Sequence, residues 1–221
     1  MNSSIILSNC KHRLDTAITL GILFIISIML AGCSHTVQRE TCVALAKDVS
    51  YCLAPIPLDG AEDNWIRSAT QKAEIKVDAS RHELMTQLEI DPNNLTLVGL
   101  APLGQALFTL IYDGQNLTSE QSILLGSEFK AEYLLAMIQL IYWPEEAVNA
   151  HLRGAKIISI DCAAPSCRTI YANYDASLNV LSNSRHDDTV LNIEYSHKNK
   201  WQAEIKLNIP QANFELKITP I

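Results

Sequence analysis

Concentrated positive charge is missing from this 221-residue sequence. It has 17 Lys and Arg against 24 Asp and Glu, a formal net charge of −7, and it nowhere gathers its basic residues into a cluster. Nucleic acid and anionic headgroups are held by positive patches, so no nucleic-acid partner is expected. Catalytic signatures are missing too. The chain has no Gly-x-Ser-x-Gly elbow, no His-Glu-x-x-His and no phosphate loop, which are the usual marks of serine hydrolases, zinc proteases and nucleotide-binding enzymes. No Cys-x-x-Cys occurs, so the common redox-active dithiol is absent. His186-Asp187-Asp188 gathers polar groups but reads as a turn between strands. The expectation is a protein with no catalytic residue, no metal and no cofactor. Nor does any apolar run reach the roughly 20 residues that a membrane-spanning helix needs; the longest N-terminal one is the 14 residues from Ala17 to Leu30.

That run has a special context. Lys11, His12 and Arg13 precede it and Leu30-Ala31-Gly32-Cys33 ends it. A basic start, an apolar core and small residues at the break make an export signal. The tetrapeptide resembles the bacterial lipobox, which implies cleavage before Cys33 after a lipid has been attached to its thiol. A permanent membrane anchor is the alternative, because Ala31 to Cys33 lengthen the run. Removing residues 1–32 leaves 189 residues, one domain's worth. With the two basic residues and one acidic residue of the signal gone, the remainder carries 15 positive and 23 negative side chains, net −8. Attachment to membrane lipid is therefore expected through the acyl chains on Cys33, two or more of which anchor stably. The expected organisation is a signal over 1–32, a lipidated tether and N-terminal segment over 33–70, and a folded domain over 71–221.

Cys42, Cys52, Cys162 and Cys167 remain once Cys10 has left and Cys33 is lipidated. In an oxidising compartment an even number reads as two disulfides, with three possible connectivities. Proximity favours Cys42 with Cys52 and Cys162 with Cys167. A four-thiolate zinc site is the competing reading, although the spacings fit a zinc knuckle poorly.

Residues 34–69 show no sustained period. From Gln71 the pattern alternates: Glu74 to Val77, then Leu84, Thr86, Leu88 and Ile90 on one face, as in antiparallel neighbours. Leu95 to Leu100 and Leu107 to Tyr112 are largely apolar on both faces. Such strands are covered on both sides or line a greasy cavity. Between them, Ala101-Pro102-Leu103-Gly104 reads as a turn that holds an outward leucine. Helical spacing then runs from Lys130 to Tyr142, with Leu134, Leu135, Met137, Ile138 and Ile141 on one side, until Pro144 stops it after Trp143. A second short helix begins at Pro144 and Gly154 ends it. Strands resume over Ile157 to Cys162, Arg168 to Tyr174, Ser177 to Leu181, Thr189 to Tyr195, Trp201 to Ile209 and Phe214 to Ile218. The fold class is mainly β, an antiparallel sheet with short helices packed on its apolar, concave face. The helices read either as plain core packing or as a lid over a ligand cavity.

Two stretches, Leu95 to Gly114 and Leu134 to Pro144, resemble a family of bacterial lipoproteins of unknown function whose genes often lie in aryl polyene biosynthesis clusters; the match runs from about Gln71 to the C-terminus. The shorter string Pro102-Leu103-Gly104 with the apolar alternation after it is similar to the LolB family of outer-membrane receptors, which accept lipoproteins from the carrier LolA. This second resemblance implies a LolA/LolB-like half-barrel around a hydrophobic cavity, with Leu97, Phe108, Leu110, Leu134, Met137, Ile138, Ile141 and Trp143 as candidate cavity lining. It also implies a membrane-insertion loop at Pro102, Leu103 and Gly104. The two cysteine pairs depart from the LolB pattern. Ser34 stands where an inner-membrane retention signal has aspartate, which points to the outer membrane and its periplasmic side. The expected function is binding and transfer of a hydrophobic cargo, an acyl or aryl polyene lipid or a lipoprotein, with a LolA-like carrier as partner. The alternative is a structural or assembly lipoprotein with no small ligand.

Overall fold

Period-two alternation becomes strand after strand in the computed structural model, which describes residues 42–57, 65–125, 130–158, 162, 164–172, 174–175, 180–181 and 189–221. In chain order these form β1 (Cys42–Ala46), β2 (Val49–Cys52), β3 (Arg67–Val77), β4 (Ser80–Ile90), β5 (Leu95–Leu100), β6 (Ala106–Tyr112), β7 (Leu117–Gln121), α1 (Ala131–Tyr142), α2 (Glu145–His151), β8 (Leu152–Arg153), β9 (Ala155–Ile158), β10 (Ser166–Ala172), β11 (Tyr174–Asp175), β12 (Val180–Leu181), β13 (Thr189–Tyr195), β14 (Ile205–Ile209) and β15 (Phe214–Pro220). Ten of them make one sheet in the order β7-β6-β5-β4-β3-β15-β14-β13-β10-β9, with every neighbouring pair antiparallel. The sheet does not close on itself, so the mainly β, antiparallel architecture expected from the alternation is an open one, consistent with a half-barrel.

The strand faces follow from the sequence. Leu84, Thr86, Leu88 and Ile90 of β4 are buried, and Ile205, Leu207 and Ile209 of β14 point to the same core while Lys206 and Asn208 are exposed. Tight turns set the register. Asp91 accepts from the backbone N–H of Asn93 and Asn94 (2.7 and 2.8 Å), and Asp113 does the same for Gln115 and Asn116 (2.8 and 2.6 Å). An Asp side chain that mimics a backbone carbonyl in this way fixes a hairpin at its first residue.

Two strand expectations are corrected. Trp201 and Ala203 alternate in phase with Ile205, yet β14 begins only at Ile205, because Lys200–Gln202 is a 3-10 turn. The Asn199 side chain accepts from Trp201 N–H (3.1 Å), and the Trp201 ring stacks on Tyr142 at 4.5 Å between centroids. Local capping and ring stacking outweigh the period. On β5 and β6, the second apolar face is only partly covered: Thr96, Val98 and Leu100 are half-buried, Leu107 packs against the margin of the core, and Ile111 is 43% exposed.

Helix α1 starts one residue inside the expected range and stops where Pro144 forces Trp143 into an extended conformation (ψ 151°). It is buried on most of its circumference because it is sandwiched. Toward the sheet, Tyr142 meets Gln71 of β3, and the carbonyls of Leu140 and Ile141 meet Arg168 of β10 and Tyr195 of β13. Toward the other side lies the N-terminal segment. Val43, Leu45, Val49, Tyr51, Leu53, Ala54 and Ile56 belong to the same core cluster as the sheet. The segment is held by β1-β2 pairing and by β2 against β8. Both locally paired disulfides are present: Cys42–Cys52 links directly opposed residues of β1 and β2, and Cys162–Cys167 closes the approach to β10.

Candidate functional site

Three places bear on function: the inner face of the sheet, the loop between β5 and β6, and the outer face. Cys33 and His186-Asp187-Asp188 lie outside the described residues.

The inner face is filled. Leu97, Phe108, Leu110, Met137, Ile138, Ile141 and Trp143 are each at most 4% exposed and pack in a single core; Leu134 is half-buried at its margin. All eight belong to, or pack against, the one core cluster that also takes in the N-terminal segment. The packing depends on local details. Phe108 lies flat over Gly99, its pairing partner, and a Cβ at that glycine would fall 2.2 Å from the ring. Burial of the aromatic therefore requires glycine on β5.

A polar seam runs through this core and is not visible as a pattern in the sequence. Gln139 is fully buried, accepts from Tyr51 O–H (2.9 Å) and Ala54 N–H (2.8 Å), and donates to Ala54 O (2.9 Å). Trp143 Nε1 donates to Pro55 O at 2.9 Å, and Tyr112 O–H to Ala54 O at 3.1 Å. Each bond ties the N-terminal segment to α1 or β6. At the same, C-terminal end of α1, buried Arg168 donates to Leu140 O (2.9 Å) and Tyr195 O–H to Ile141 O (2.8 Å). The terminal carbonyls of a helix have no partner within it and carry its negative pole, so a cation and a hydroxyl there satisfy both needs. Burial pushes the phenols of Tyr51 and Tyr195 far above their usual range and those of Tyr112 and Tyr142 up to about 12. Tyr51, Tyr112 and Tyr195 donate hydrogen bonds, while the Tyr142 hydroxyl oxygen accepts one from Gln71 Nε2 at 2.6 Å. Burial, reinforced by Arg168, pushes Lys200 down to about 7 where it sits 5.7 Å from the Tyr195 ring.

The β5–β6 loop has the opposite character. Gly104 N–H donates to Ala101 O (2.8 Å) and Ala101 N–H to Gln105 O (2.8 Å), which closes a tight turn with Pro102 second and Gly104, at φ 82°, fourth. Proline favours the second position and glycine accepts the positive φ. Leu103, held between them, is 98% exposed. Ile123 is a second such residue that the sequence reading missed. It lies in a 3-10 turn, Ile123–Leu125, directly after β7, and is 94% exposed.

The outer face is charged and self-paired. Lys76 meets Glu215 at 3.0 Å, Lys217 meets Glu204 at 3.0 Å, Lys72 meets Glu83 at 2.9 Å, and Arg81 pairs with Glu74. A concavity of about 390 Å³ crosses β3, β15, β14 and β13 there. Its alternating charges neutralise one another, and exposed pairs of this kind contribute little. Among the described residues there is no cluster of three or more His, Cys, Asp or Glu that could hold a metal, and no helix long and apolar enough to cross a membrane.

No curated protein matches this chain. A family model does, over residues 68–221, which takes in the whole ten-stranded sheet but for the first residue of β3, together with both helices, and leaves β1 and β2 outside. By that match the chain belongs to a family of proteins of unknown function, DUF3261.

Proposed function

We propose that this chain is a lipid-anchored outer-membrane protein that handles a hydrophobic cargo at the membrane surface, in the manner of LolB. The cargo is an acyl or aryl polyene lipid, or the acyl chains of a lipoprotein. The observation that carries the reading is Leu103: a fully exposed leucine on a tight turn, at the end of an open sheet whose inner face is apolar. Cargo would replace part of the filling between the sheet and α1, with burial of its chain providing the affinity. A LolA-like carrier fits as donor.

A photoactivatable fatty acid fed to cells that make the full chain tests this. Crosslinks should map to peptides carrying Leu97, Phe108 or Met137, and their absence there would overturn the cargo reading. Lipidation is tested separately with labelled palmitate, which should be lost in Cys33→Ala. A second reading, a structural or assembly lipoprotein without ligand, is favoured by one observation: the inner-face side chains are already packed against one another. No fatty-acid crosslinks combined with intact palmitate labelling is the outcome it expects.

A further inference from the structure

We propose that Ile123 is a second membrane-contact residue, set beside Leu103 so that one end of the sheet meets the bilayer at two points. This rests on the proposed membrane role of Leu103 and extends it to a residue on a different connection. The strand register puts the two together. β6 begins at Ala106, immediately after the turn that carries Leu103, and its Phe108 pairs with Gln121, the last residue of β7. One step on, Ser122 N–H donates to Leu107 O at 2.7 Å, so the chain leaving β7 is pinned to the start of β6. Adjacent strands lie roughly 5 Å apart. Leu103 and Ile123 therefore leave the sheet at the same end, on neighbouring strands.

Ile123 is held in the open by its neighbours. Leu125, two residues later, packs against the core, and its N–H donates to Ser122 O at 3.1 Å. An anchored turn that half-buries Leu125 against the core presents Ile123 instead of hiding it. Scattered single leucines on a surface mean little; two almost fully exposed, large aliphatic side chains on pinned, adjacent turns are a different matter.

The occupant is a bilayer for two reasons. The first is charge. The chain is acidic overall, with a net charge of −7, yet residues 95–112 and 121–127 contain no Asp, Glu, Lys or Arg. Entering the acyl boundary requires that no ionised side chain be dragged along. The second is reach. Eight residues separate Cys33 from β1, and fully extended they bridge only about 30 Å. With Cys33 lipidated, the domain is confined close to the surface that holds its anchor.

The test uses the full lipidated chain reconstituted into vesicles of phosphatidylethanolamine and phosphatidylglycerol. An environment-sensitive dye is attached to Leu103→Cys, to Ile123→Cys or, as control, to Gln115→Cys, an exposed residue of the turn at the opposite end of β6. Melting temperature confirms that each labelled chain folds as its parent does. Dye at 103 and at 123 should show blue-shifted emission that is lost when nitroxide-bearing lipid is included, while dye at 115 stays unchanged. Dye at 123 behaving like that at 115, with 103 still quenched, overturns this inference and leaves the Leu103 reading standing. Both behaving like 115 overturns the two together. A blue shift at 123 that nitroxide lipid does not quench marks a protein contact and also overturns it. Ile123→Glu, which introduces no thiol, should diminish quenching of dye at 103, because the two turns approach the bilayer as one foot.

Discussion

Leucine meets opposite fates at two ends of the same strands. On the inner face, Leu97 and Leu110 of β5 and β6 are at most 1% exposed under α1 and the N-terminal segment, whereas Leu103, on the turn that joins those two strands, is 98% exposed. Both regions are apolar, and β5, β6 and the turn between them contain no charged residue. The difference is the cover. Over the inner face, Tyr51, Ala54 and Pro55 are tied by hydrogen bonds to Gln139 and Trp143, so that apolar area is converted into stability. Over the turn, the described residues supply no cover, and apolar area there is available to a partner. Stability and contact are thus separable in this fold, and substitutions at the two places should have different signatures.

The largest effect is expected at the cover itself. Trp143→Ala empties a site that is 1% exposed and strands Pro55 O, and should cost about 3 to 5 kcal/mol of stability, read from the denaturant midpoint. An unchanged midpoint would mean that the segment from Cys42 to Ile56 is an appendage and not a lid on the core. Gln139→Ala removes three hydrogen bonds at once and leaves Tyr51 O–H and the Ala54 amide unpaired in the interior. Roughly 2 to 4 kcal/mol should be lost, since each buried orphan costs on the order of 1 kcal/mol or more. Restoring most of the loss with Gln139→Glu at low pH, but not at neutral pH, would show that polar pairing and not volume is what matters.

Replacing Cys42 and Cys52 together by Ala comes next. The bridge joins residues 10 apart, and closing a loop of that length stabilises by about 2 to 3 kcal/mol in the chain-entropy model. Protease cleavage between Cys42 and Pro55 should rise in the double variant well before global melting does. If cleavage and melting move together, the segment unfolds only with the whole core.

The sheet and its helices were legible because β3 to β6, β14, β15 and α1 state their periods plainly in the order of apolar residues. Helix α1 also carries its own stop in Trp143-Pro144. The cover was not legible for a physical reason. β1 and β2 have five and four residues, too few for a period to stand out. Their burial depends on partners 85 to 88 positions away, Gln139 and Trp143. Only the two cysteines hinted that the segment is fixed. The turn at Pro102-Leu103-Gly104 could be read because proline and glycine mark it. Ile123 could not, since Ile123-Leu124-Leu125 looks like one apolar run, and only the structure separates the inward Leu125 from the outward Ile123.

Leu103→Glu should have the smallest effect on folding. Its side chain is almost wholly exposed, the turn is closed by backbone bonds at Ala101, Gly104 and Gln105, and no charged residue of the loop is disturbed. Surface substitutions of this kind usually stay within about 0.5 kcal/mol, so the midpoint of unfolding should hardly move. Contact with a bilayer is another matter, because a carboxylate opposes entry into the acyl boundary that a leucine favours. Delivery of cargo to vesicles should therefore fall steeply while fatty-acid crosslinking at Leu97, Phe108 and Met137 persists. Leu103→Ile, equally apolar, should deliver as the parent does. Equal loss in Leu103→Ile and Leu103→Glu would trace the defect to the shape of the turn, and undiminished delivery by Leu103→Glu would remove this loop from the membrane step altogether.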